Sequence, residues 1–190
     1  TADLSIQKYS GYIQDNIRMG KSNTITLQAG VRYNYNSLNK EFLISPRMQL
    51  SVKPNWKKDV VLKLAAGAYQ QPPFYRELRK YDGTLNMDVK AQKSYQVVAG
   101  MDYNFKGFGS RPFRITTEAY YKSMRSVDVY DIDNVKIRYA GNNNAKAYAA
   151  GFEARLFGEL VKDAESWLSF GIMQTKENLD NDFYYEYRNA

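Results

Sequence analysis

Hydrophobic and polar residues alternate along most of the chain. From residue 25 to residue 36 the odd-numbered positions are apolar or aromatic, from Ile25 to Tyr35, whereas the even-numbered positions include Gln28, Arg32 and Asn34. Successive side chains of a β-strand point to opposite faces, so a period of two predicts a strand with one apolar face. The same period recurs, and eight strands are predicted in all. They cover residues 4–17, 25–36, 44–53, 60–68, 95–106, 113–122, 146–157 and 166–176.

The predicted connections are short on one side of the strands and mostly long on the other. The short ones are residues 20–23, 54–59, 107–111 and 160–165; the long ones are residues 71–90 and 126–144, with a compact connection at residues 37–41 on the same side as these. This arrangement predicts an antiparallel up-and-down meander with one short-turn rim and one long-loop rim. Only Phe74 to Lys80, which follows Pro72 and Pro73, is compatible with a helical turn.

Alternation alone does not decide which face of the sheet is wet. A soluble sandwich buries its apolar positions between two sheets, whereas a membrane barrel turns them toward lipid and its polar positions toward the lumen. The predicted strands reach roughly 10 to 14 residues, as tilted membrane-spanning strands require. Aromatic residues tend to stand at the ends of the apolar stretches or beside the short turns, where amphipathic rings suit the two membrane interfaces. These predicted interface aromatics are Tyr33, Tyr35, Trp56, Tyr95, Tyr103, Phe105, Phe113, Tyr121 and Trp167.

Charged residues occupy the polar parity of the predicted strands. They are Arg32, Arg47, Lys63, Asp102, Arg114, Glu118, Glu153 and Arg155. In a lumen such charges stay hydrated and pair across strands, and on a soluble sheet they form an ordinary solvated face. Both interpretations remain open on the pattern alone.

Composition removes several function classes. The 190 residues are 44% hydrophobic and 15% aromatic, with 17 tyrosines, no histidine and no cysteine. The last two absences exclude zinc sites of the usual ligand sets, thiol nucleophiles and triads that use imidazole as the base. No apolar run approaches the roughly 18 residues of a spanning helix, so a membrane role must use strands or surface contact. The net charge of +7 fits nucleic acid, an anionic membrane surface or a piece of a longer protein, and we expect the last.

Several strings carry a resemblance to a known family by their order along the chain. They are YSGYIQDNIRMG (9–20), AGVRYNYNSLNKEFLISPRMQLSVKPNWKKD (29–59), AAGAYQQPPFYRELRKYDGTLN (65–86), AQKSYQVVAGMDYNF (91–105), RPFRITTEAYYK (111–122) and YDIDNVKIRYAGNNNAKAYAAGFEARLFGELVK (130–162). The chain resembles the transmembrane barrel of TonB-dependent outer-membrane receptors, particularly the type with a carboxypeptidase-regulatory-like N-terminal extension.

The resemblance implies an all-β antiparallel barrel of about 22 strands with a plugged lumen, of which residues 1–190 would form a partial arc. It implies an outer-membrane location with membrane lipid as surroundings. The partners implied are a plug domain and a TonB-type energy-coupling protein, both outside this chain, and a possible surface lipoprotein. The short turns would then face the periplasm, and the long loops would face outside, where a small-molecule or oligomeric nutrient is captured. It implies neither an enzyme nor a cofactor.

A substrate-binding site is predicted where a strand enters the first long loop. Rings and hydrogen-bonding groups that suit sugars, peptides or chelates occur together there, in Tyr69, Gln70, Gln71, Phe74, Tyr75 and Arg76. The alternative is that this segment, stiffened by two prolines, is a brace packed on the rim.

Three other sets of residues carry weaker signals of a site. Asp128, Asp131 and Asp133 offer oxygen ligands for calcium but lack the glycine and terminal glutamate of a calcium loop, which favours solvated turn acids and no metal site. Glu118 and Glu153 contain the carboxylates of a glycosidase pair, but sequence does not place them within reach of each other. The basic residues near the short turns, with Trp56 and Phe108, imitate a nucleic-acid surface but are better explained by membrane head groups.

The leading hypothesis is a segment of an energy-coupled uptake receptor, with a siderophore, glycan or peptide as cargo. The alternative is a small complete eight-stranded barrel or sandwich that acts as a structural or carbohydrate-binding module. A closed ring between residues 4–17 and 166–176, or an apolar face buried between two sheets, would favour that alternative. Nucleic-acid binding, the third option, would show a steep salt dependence.

Overall fold

A computed structural model describes residues 6–20, 24–179 and 184–186. Nearly all of this chain is extended, in long strands that alternate in direction. The strands are β1 (Lys8–Met19), β2 (Ile25–Asn36), β3 (Glu41–Val52), β4 (Asp59–Gln71), β5 (Gln92–Lys106), β6 (Pro112–Val127), β7 (Tyr130–Asp133), β8 (Lys136–Tyr139), β9 (Ala145–Val161), β10 (Ala164–Asn178) and β11 (Tyr185–Glu186).

One antiparallel sheet joins nine of these strands in the order β1-β2-β3-β4-β5-β6-β9-β10-β11, and β7 pairs with β8 in a separate hairpin. The eight long strands confirm the predicted meander, and the sheet is open because β1 pairs only with β2. Within the described strands, the closed ring of the alternative reading is therefore not formed. Residues 4 and 5 of the first predicted strand lie outside the described residues.

The register gives the sheet one continuous apolar face. Cross-strand partners share a face, and one row of direct partners crosses all eight long strands. That row is Ile17, Leu27, Leu50, Leu64, Ala99, Ala119, Phe152 and Ile172. The face is open to the surroundings, since Ile172 in this row is 64% exposed and Ile13, on the same face of β1, is 82% exposed. No second sheet covers this face in the described part of the chain, which rules against the packed sandwich.

The opposite face is polar. The register places the predicted polar-parity charges on it, including Arg47 of β3, Lys63 of β4 and Asp102 of β5. The sheet is thus two-sided, with hydrocarbon-compatible side chains on one face and water-compatible side chains on the other. This two-sidedness is the arrangement of a membrane barrel wall.

The two rims differ as predicted. The short-turn rim includes residues 53–58, 107–111 and 162–163, and the long-loop rim includes residues 37–40, 72–91 and 128–144. Two details correct the sequence reading. Residues 74–80 form turns closed by Glu77 N–H to Phe74 O (3.0 Å) and Arg79 N–H to Arg76 O (3.2 Å), with no helix, and the second long loop contains the β7–β8 hairpin, which was not predicted.

Seven of the nine predicted interface aromatics lie on the apolar face. Tyr33, Tyr35, Tyr95 and Tyr121 stand toward the long-loop rim, and Tyr103, Phe105 and Phe113 stand toward the short-turn rim. Tyr95 and Tyr103 are about 27 Å apart along β5 at 3.4 Å per residue, which tilting reduces toward the height of an apolar membrane band. Their assignment to membrane interfaces stays a prediction.

The two tryptophans lie elsewhere. Trp56 is exposed in the turn between β3 and β4. Trp167 is the cross-strand partner of Phe157, whose other partner is Arg114, so it lies on the polar face. The sequence placed Trp167 by its closeness to a turn, whereas its parity in the register puts it opposite the apolar stripe.

Buried side chains gather near the long-loop rim. Leu78 and Ala91 of the first long loop and Ala145 at the start of β9 are fully buried, and Asn36 at the end of β2 is nearly so. No helix in the described residues is long and apolar enough to cross a bilayer.

Candidate functional site

The polar face carries an ion cluster across three adjacent strands. The Asp102 carboxylate on β5 is nearly buried, and its Oδ2 accepts hydrogen bonds from Lys63 Nζ on β4 (2.6 Å) and Arg114 Nη2 on β6 (2.7 Å). Its Oδ1 is buried without a hydrogen-bond partner. The register brings these residues together, since Lys63 and Asp102 are 39 positions apart in the chain. One carboxylate therefore holds two cations on a face that the barrel reading assigns to the lumen.

A cleft opens between the two long loops at the long-loop rim. Its volume is about 930 Å³, and one wall comes from residues 75–83 while the other comes from residues 135–139 at the β7–β8 hairpin. We call it the loop cleft. Its basic residues are Arg76, Arg79, Lys80, Lys136 and Arg138; its tyrosines are Tyr75, Tyr81 and Tyr139. The cleft can offer guanidinium and ammonium donors beside aromatic rings, a mixture that suits polar organic ligands.

One acidic residue moderates the charge of the loop cleft. Asp82 lines it, and hydrogen bonds from the Thr84 hydroxyl and backbone N–H hold the pKa of the Asp82 carboxyl below its ordinary value. The five basic residues of the cleft lie on both of its walls, three in the 75–83 segment and two in the 135–139 segment.

The six residues predicted for substrate binding do not all lie in one cavity. Tyr75 and Arg76 line the loop cleft. Tyr69 instead borders a smaller cavity of about 260 Å³ on the polar face, together with Gln14 and Arg47.

The other three predicted residues do not line the loop cleft. Gln70 lies on the apolar-face parity, and its Nε2 donates to Ile44 O (2.8 Å). Gln71 is the cross-strand partner of Gln92, and Phe74 is exposed with its N–H bonded to Glu77 Oε2 (2.8 Å). Sequence reasoning missed Arg79, Lys80 and the hairpin residues, although the basic run around Arg79 was a visible signal.

Direct contacts hold the two long loops together. Asn86 Nδ2 donates to Gly141 O (2.8 Å), and Asn143 Nδ2 donates to Lys90 O. The first loop is also tied to the β2–β3 connection, because Glu41 Oε2 accepts from Ala91 N–H (2.7 Å) and Asn39 Nδ2 donates to Val89 O (3.1 Å). The walls of the loop cleft thus belong to one packed unit.

A buried carboxylate lies beneath this unit. Asp128 is buried, and neither of its carboxylate oxygens has a hydrogen-bond partner. Burial, with the nearby charge of Glu77, raises the pKa of the Asp128 carboxyl to about 7. Burial and the same two carboxylates also raise the pKa of Tyr139. Asp128 is therefore protonated at acidic pH. Above neutrality it ionises, although burial and the charge of Glu77 make the carboxylate form unfavourable there.

Asp128 does not belong to a calcium site in the described part of the structure. The expectation of solvated turn acids was wrong for Asp128, which packing of the loops buries; the side chains of Asp131 and Asp133 lie outside the described part of the structure. Among the described residues no group of three or more acids, histidines or cysteines could hold a metal ion.

Glu118 and Glu153 are direct cross-strand partners on β6 and β9. Arg155 Nη2 donates to Glu153 Oε2 (3.1 Å), and both side chains are partly exposed. The register therefore supplies the proximity that sequence could not establish, and both carboxylates lie on the polar face, where one of them is paired with Arg155.

The basic residues of the short-turn rim are partly occupied by neighbours. Lys53 Nζ pairs with Asp59 Oδ1 (2.6 Å) beside the 53–58 turn. Lys58 Nζ lies 6.0 Å from the centre of the Tyr103 ring, on the apolar face. Cations beside interface aromatics fit a membrane boundary better than a nucleic-acid groove.

Comparison with known proteins gives the family. Residues 1–188 match the family model described as "TonB dependent receptor-like, beta-barrel". A search of curated proteins found no match.

Two solved structures share the fold. The siderophore receptor PirA from Pseudomonas aeruginosa has a TM-score of 0.68 at 16% identity, with 90% of this chain and 34% of that chain covered. The outer-membrane transporter YddB from Escherichia coli has a TM-score of 0.68 at 17% identity, with 93% of this chain and 25% of that chain covered.

The chain spans about a third of the first of these structures and a quarter of the second. Its open, two-sided sheet is accordingly a barrel segment, and its place is the outer membrane. The match over nearly the whole sequence means that the chain belongs to the TonB-dependent receptor family, within that family's β-barrel.

Proposed function

We propose that this chain forms part of the wall of a receptor for energy-coupled nutrient uptake across the outer membrane. The long-loop rim faces outside in this proposal, and the polar face lines the passage. The observation that carries the proposal is the family match over residues 1–188. The cargo belongs to the siderophore, glycan or peptide class.

The loop cleft supports a role in capture. It lies at the rim assigned to the outside, and it combines rings with hydrogen-bond donors in a space of about 930 Å³, which is enough for a small oligomer or chelate. Tyr75 and Arg76 connect it to the residues predicted from sequence. We propose that they contact the cargo first, with Arg79 and Lys80.

The polar face supports a role in passage. The cluster of Lys63, Asp102 and Arg114 holds paired charged groups on the side opposite the lipid. TonB-dependent receptors work with a plug domain and with TonB. We propose that a plug outside this chain closes the passage beside this face, that an inner-membrane energy-coupling protein opens it, and that a surface lipoprotein can cover the loop cleft.

The test is receptor-dependent growth of cells that carry the full-length receptor. Growth on limiting iron chelates, glycans or peptides is measured with the receptor present or deleted, and with the energy-coupling protein present or deleted. We expect one nutrient class to require both proteins. Growth that needs the receptor but not the coupling protein contradicts energy-coupled uptake.

Variants locate capture within the same assay. The pair Arg76→Gln and Arg79→Gln removes two donors from the loop cleft, whereas Lys57→Gln removes a charge from the opposite rim. We expect about a tenfold higher nutrient requirement for the cleft pair, from the loss of one or two charge-assisted hydrogen bonds, and no change for Lys57→Gln. Equal growth of both variants would remove the cleft from the proposal and leave the uptake function in place.

A further inference from the structure

One acidic residue of the long strands stands on the apolar face of the sheet. Asp15 of β1 is the direct partner of Ala29 of β2, and Ala29 is the direct partner of Met48 of β3. On its own strand Asp15 shares its face with Ile13 and Ile17, since residues two apart point the same way. The other acidic residues that the register pairs within the eight long strands lie on the polar face. They are Glu41, Asp59, Asp102, Glu118, Glu153 and Glu177.

Asp15 lies near the middle of the apolar band. Along β1 it is six residues from Tyr9, whose ring stacks on Tyr35 at the long-loop end, and five residues from Gly20, directly after the strand. At 3.4 Å per residue these separations are about 20 Å and about 17 Å, and the tilt of a barrel strand reduces them to about 15 Å and about 13 Å of membrane depth. The centre of an apolar band about 25 Å tall lies at that level. The carboxylate is therefore placed far from water on both sides.

No basic residue of the described apolar face is within reach of this carboxylate. Asp15 Oδ1 accepts a hydrogen bond from the Asn16 N–H (2.7 Å), and Asp15 forms no ion pair with a described residue. The apolar faces of β1 to β4 carry no lysine or arginine. The first basic residue met along this face is Lys93 of β5, four strands away, which is about 19 Å at 4.8 Å per strand. A carboxylate in hydrocarbon is costly without a cation, so Asp15 needs a partner from elsewhere.

The strand that carries Asp15 is at the open edge of the sheet. β1 is paired with β2 only, so the backbone groups along its other side have no partner strand among the described residues. Open strand edges do not occur in the hydrocarbon region, and a barrel satisfies every edge by closure. A further strand of the complete barrel therefore lies against β1. The residue of that strand opposite Asp15 has its Cβ about 5 Å from the Asp15 Cβ, and the diagonal neighbours are about 7–8 Å away.

We propose that this neighbouring strand presents a lysine or arginine on its lipid-facing side, directly opposite Asp15 or diagonal to it, and that the two residues form an ion pair within the membrane. Ionisable residues at this depth are rare, and where they occur they pair with one another. The long side chains of lysine and arginine reach a carboxylate on an adjacent strand, and arginine can donate two N–H groups to it. A slip of one residue would turn the cation toward the lumen, so the pair also fixes the register of β1 against its neighbour.

Neither lipid nor a second copy of the chain offers that cation. Charged lipid groups lie in the head-group region, about 13–15 Å from the level of Asp15. A second copy packed symmetrically on the same patch would bring its own Asp15, because a two-fold interface joins identical surfaces. Lys93 and Arg125 are on the apolar face, but they lie at or beyond the Tyr95 ring, toward the long-loop rim. The ion pair requires only that the chain is part of an outer-membrane barrel, and it depends neither on the cargo nor on which rim faces outside.

Urea unfolding of the full-length receptor in lipid bilayers tests the ion pair by the sign of a change in stability. Asp15→Asn leaves the partner cation alone in hydrocarbon, and we expect its unfolding equilibrium constant to be about tenfold larger than that of the wild type. If Asp15 instead faces bare lipid, the same variant removes an unfavourable charge and the barrel becomes more stable. Asp15→Glu keeps the charge and should stay close to the wild type. The control is Asp88→Asn, at an exposed carboxylate of the first long loop, which should unfold like the wild type.

A double-mutant cycle identifies the partner. Each lysine and arginine of the strand that pairs with the free edge of β1 is changed to glutamine, alone and together with Asp15→Asn. For one of them we expect the single change to destabilise the barrel as Asp15→Asn does, and the double variant to be at least as stable as either single variant, since both charges are then absent. If Asp15→Asn alone does not assemble, the double variant should still give the heat-resistant barrel band of the wild type.

Three outcomes overturn the proposal. An unfolding constant for Asp15→Asn that is equal to or smaller than that of the wild type means that the carboxylate has no partner. A loss of stability that couples to no basic residue of the neighbouring strand removes that strand as the source of the cation. Sedimentation of the receptor in detergent covers the remaining source: if Asp15→Asn lowers the mass from an oligomer to a monomer, the cation belongs to another chain. Failure of the growth assay would leave the ion pair in place, because unfolding does not depend on uptake.

Discussion

The apolar side chains of the sheet point outward, whereas those of the long loops are buried inside protein. In the sheet, Leu64, Phe152 and Ile172 are exposed on a face that no described part of the chain covers. In the loops, Leu78 and Ala91 are completely enclosed by protein. The same kinds of side chain thus face outward in one region and inward in the other.

The difference follows from the solvent of each region. A side chain gains from leaving water, and lipid or protein can both take it up. The sheet relies on lipid, so its two faces must be strictly separated by residue parity. The loops lie beyond the hydrocarbon and must form a small protein core of their own, with hydrogen bonds between loops and with buried polar groups such as Asp128.

The largest expected effect is a charge on the lipid face. Ile172→Arg places a guanidinium in the middle of β10 on the apolar face, which we expect to destabilise the assembled barrel by about 2–4 kcal/mol. Met173→Arg, one residue further along the same strand, points to the polar face and should change stability little. Urea unfolding of the full-length receptor in bilayers measures both. Equal losses would mean that the two faces do not have different solvents.

A change of pH should affect the loops and leave the sheet alone. The pKa of Asp128 is raised to about 7 by burial, so the packed loops bind a proton that the opened loops release above pH 4. Their stability is therefore complete at acidic pH and is lost as the pH rises through about 7. We expect hydrogen exchange in residues 72–91 to quicken about thirtyfold between pH 5.5 and 8, after correction for intrinsic rates.

Two variants serve as controls for this pH effect. Asp128→Asn should make the exchange independent of pH in that range. Asp82→Asn should leave the effect in place, because the Asp82 carboxyl is exposed and its pKa is lowered rather than raised. A pH dependence that survives in Asp128→Asn assigns it to another group.

The contact between the two long loops can be weakened at one glycine. Gly141 has a φ of +64°, and a Cβ there would lie 2.8 Å from Lys80 Cγ and 3.3 Å from its backbone nitrogen. Gly83 has a similar φ of +85°, but a Cβ would meet only the end of the Arg79 side chain at 3.6 Å. Both alanine variants incur the left-handed backbone cost. Gly141→Ala should cost about 1 kcal/mol more because of the clash.

Hydrogen exchange of the 128–144 loop measures this difference. We expect roughly fivefold faster exchange in Gly141→Ala than in Gly83→Ala. Identical exchange in the two variants would show that the loops are not held at this point.

The smallest effect is expected for the ion cluster of the polar face. Asp102→Asn leaves Lys63 and Arg114 without their shared carboxylate, and we expect a loss of about 1 kcal/mol, because the Arg114 side chain is half exposed and water replaces part of the interaction. Asp59→Asn, in the exposed pair with Lys53, should cause no measurable change. Thermal or urea unfolding of the receptor compares them, and a larger loss for Asp59→Asn would contradict the cluster's importance.

The sequence predicted the sheet well because strand faces are a local property. Alternation between residues 25 and 36 is enough to define β2 and its apolar side, and the observed strand has those bounds. Closeness to a turn was a weaker guide to the face on which a side chain lies. Trp167 was assigned to the interface by its distance from a turn, but its register with Phe157 decides its face.

The β7–β8 hairpin was missed for a specific reason. Its two-residue turn has a φ of +49° at Asn134 and +68° at Val135. Such a turn usually has Asn followed by Gly. A β-branched residue at the second position concealed the signal, and with it one wall of the loop cleft.

The sequence by itself determined the eight long strands, their apolar and polar sides, the two rims and the family, since each follows from a period of two or from strings read in order. Only the tertiary structure decided which distant residues meet. The Asp102 cluster depends on register between strands, and the walls of the loop cleft depend on contact between loops. Those contacts form through non-local hydrogen bonds and packing, for which no single segment carries a pattern.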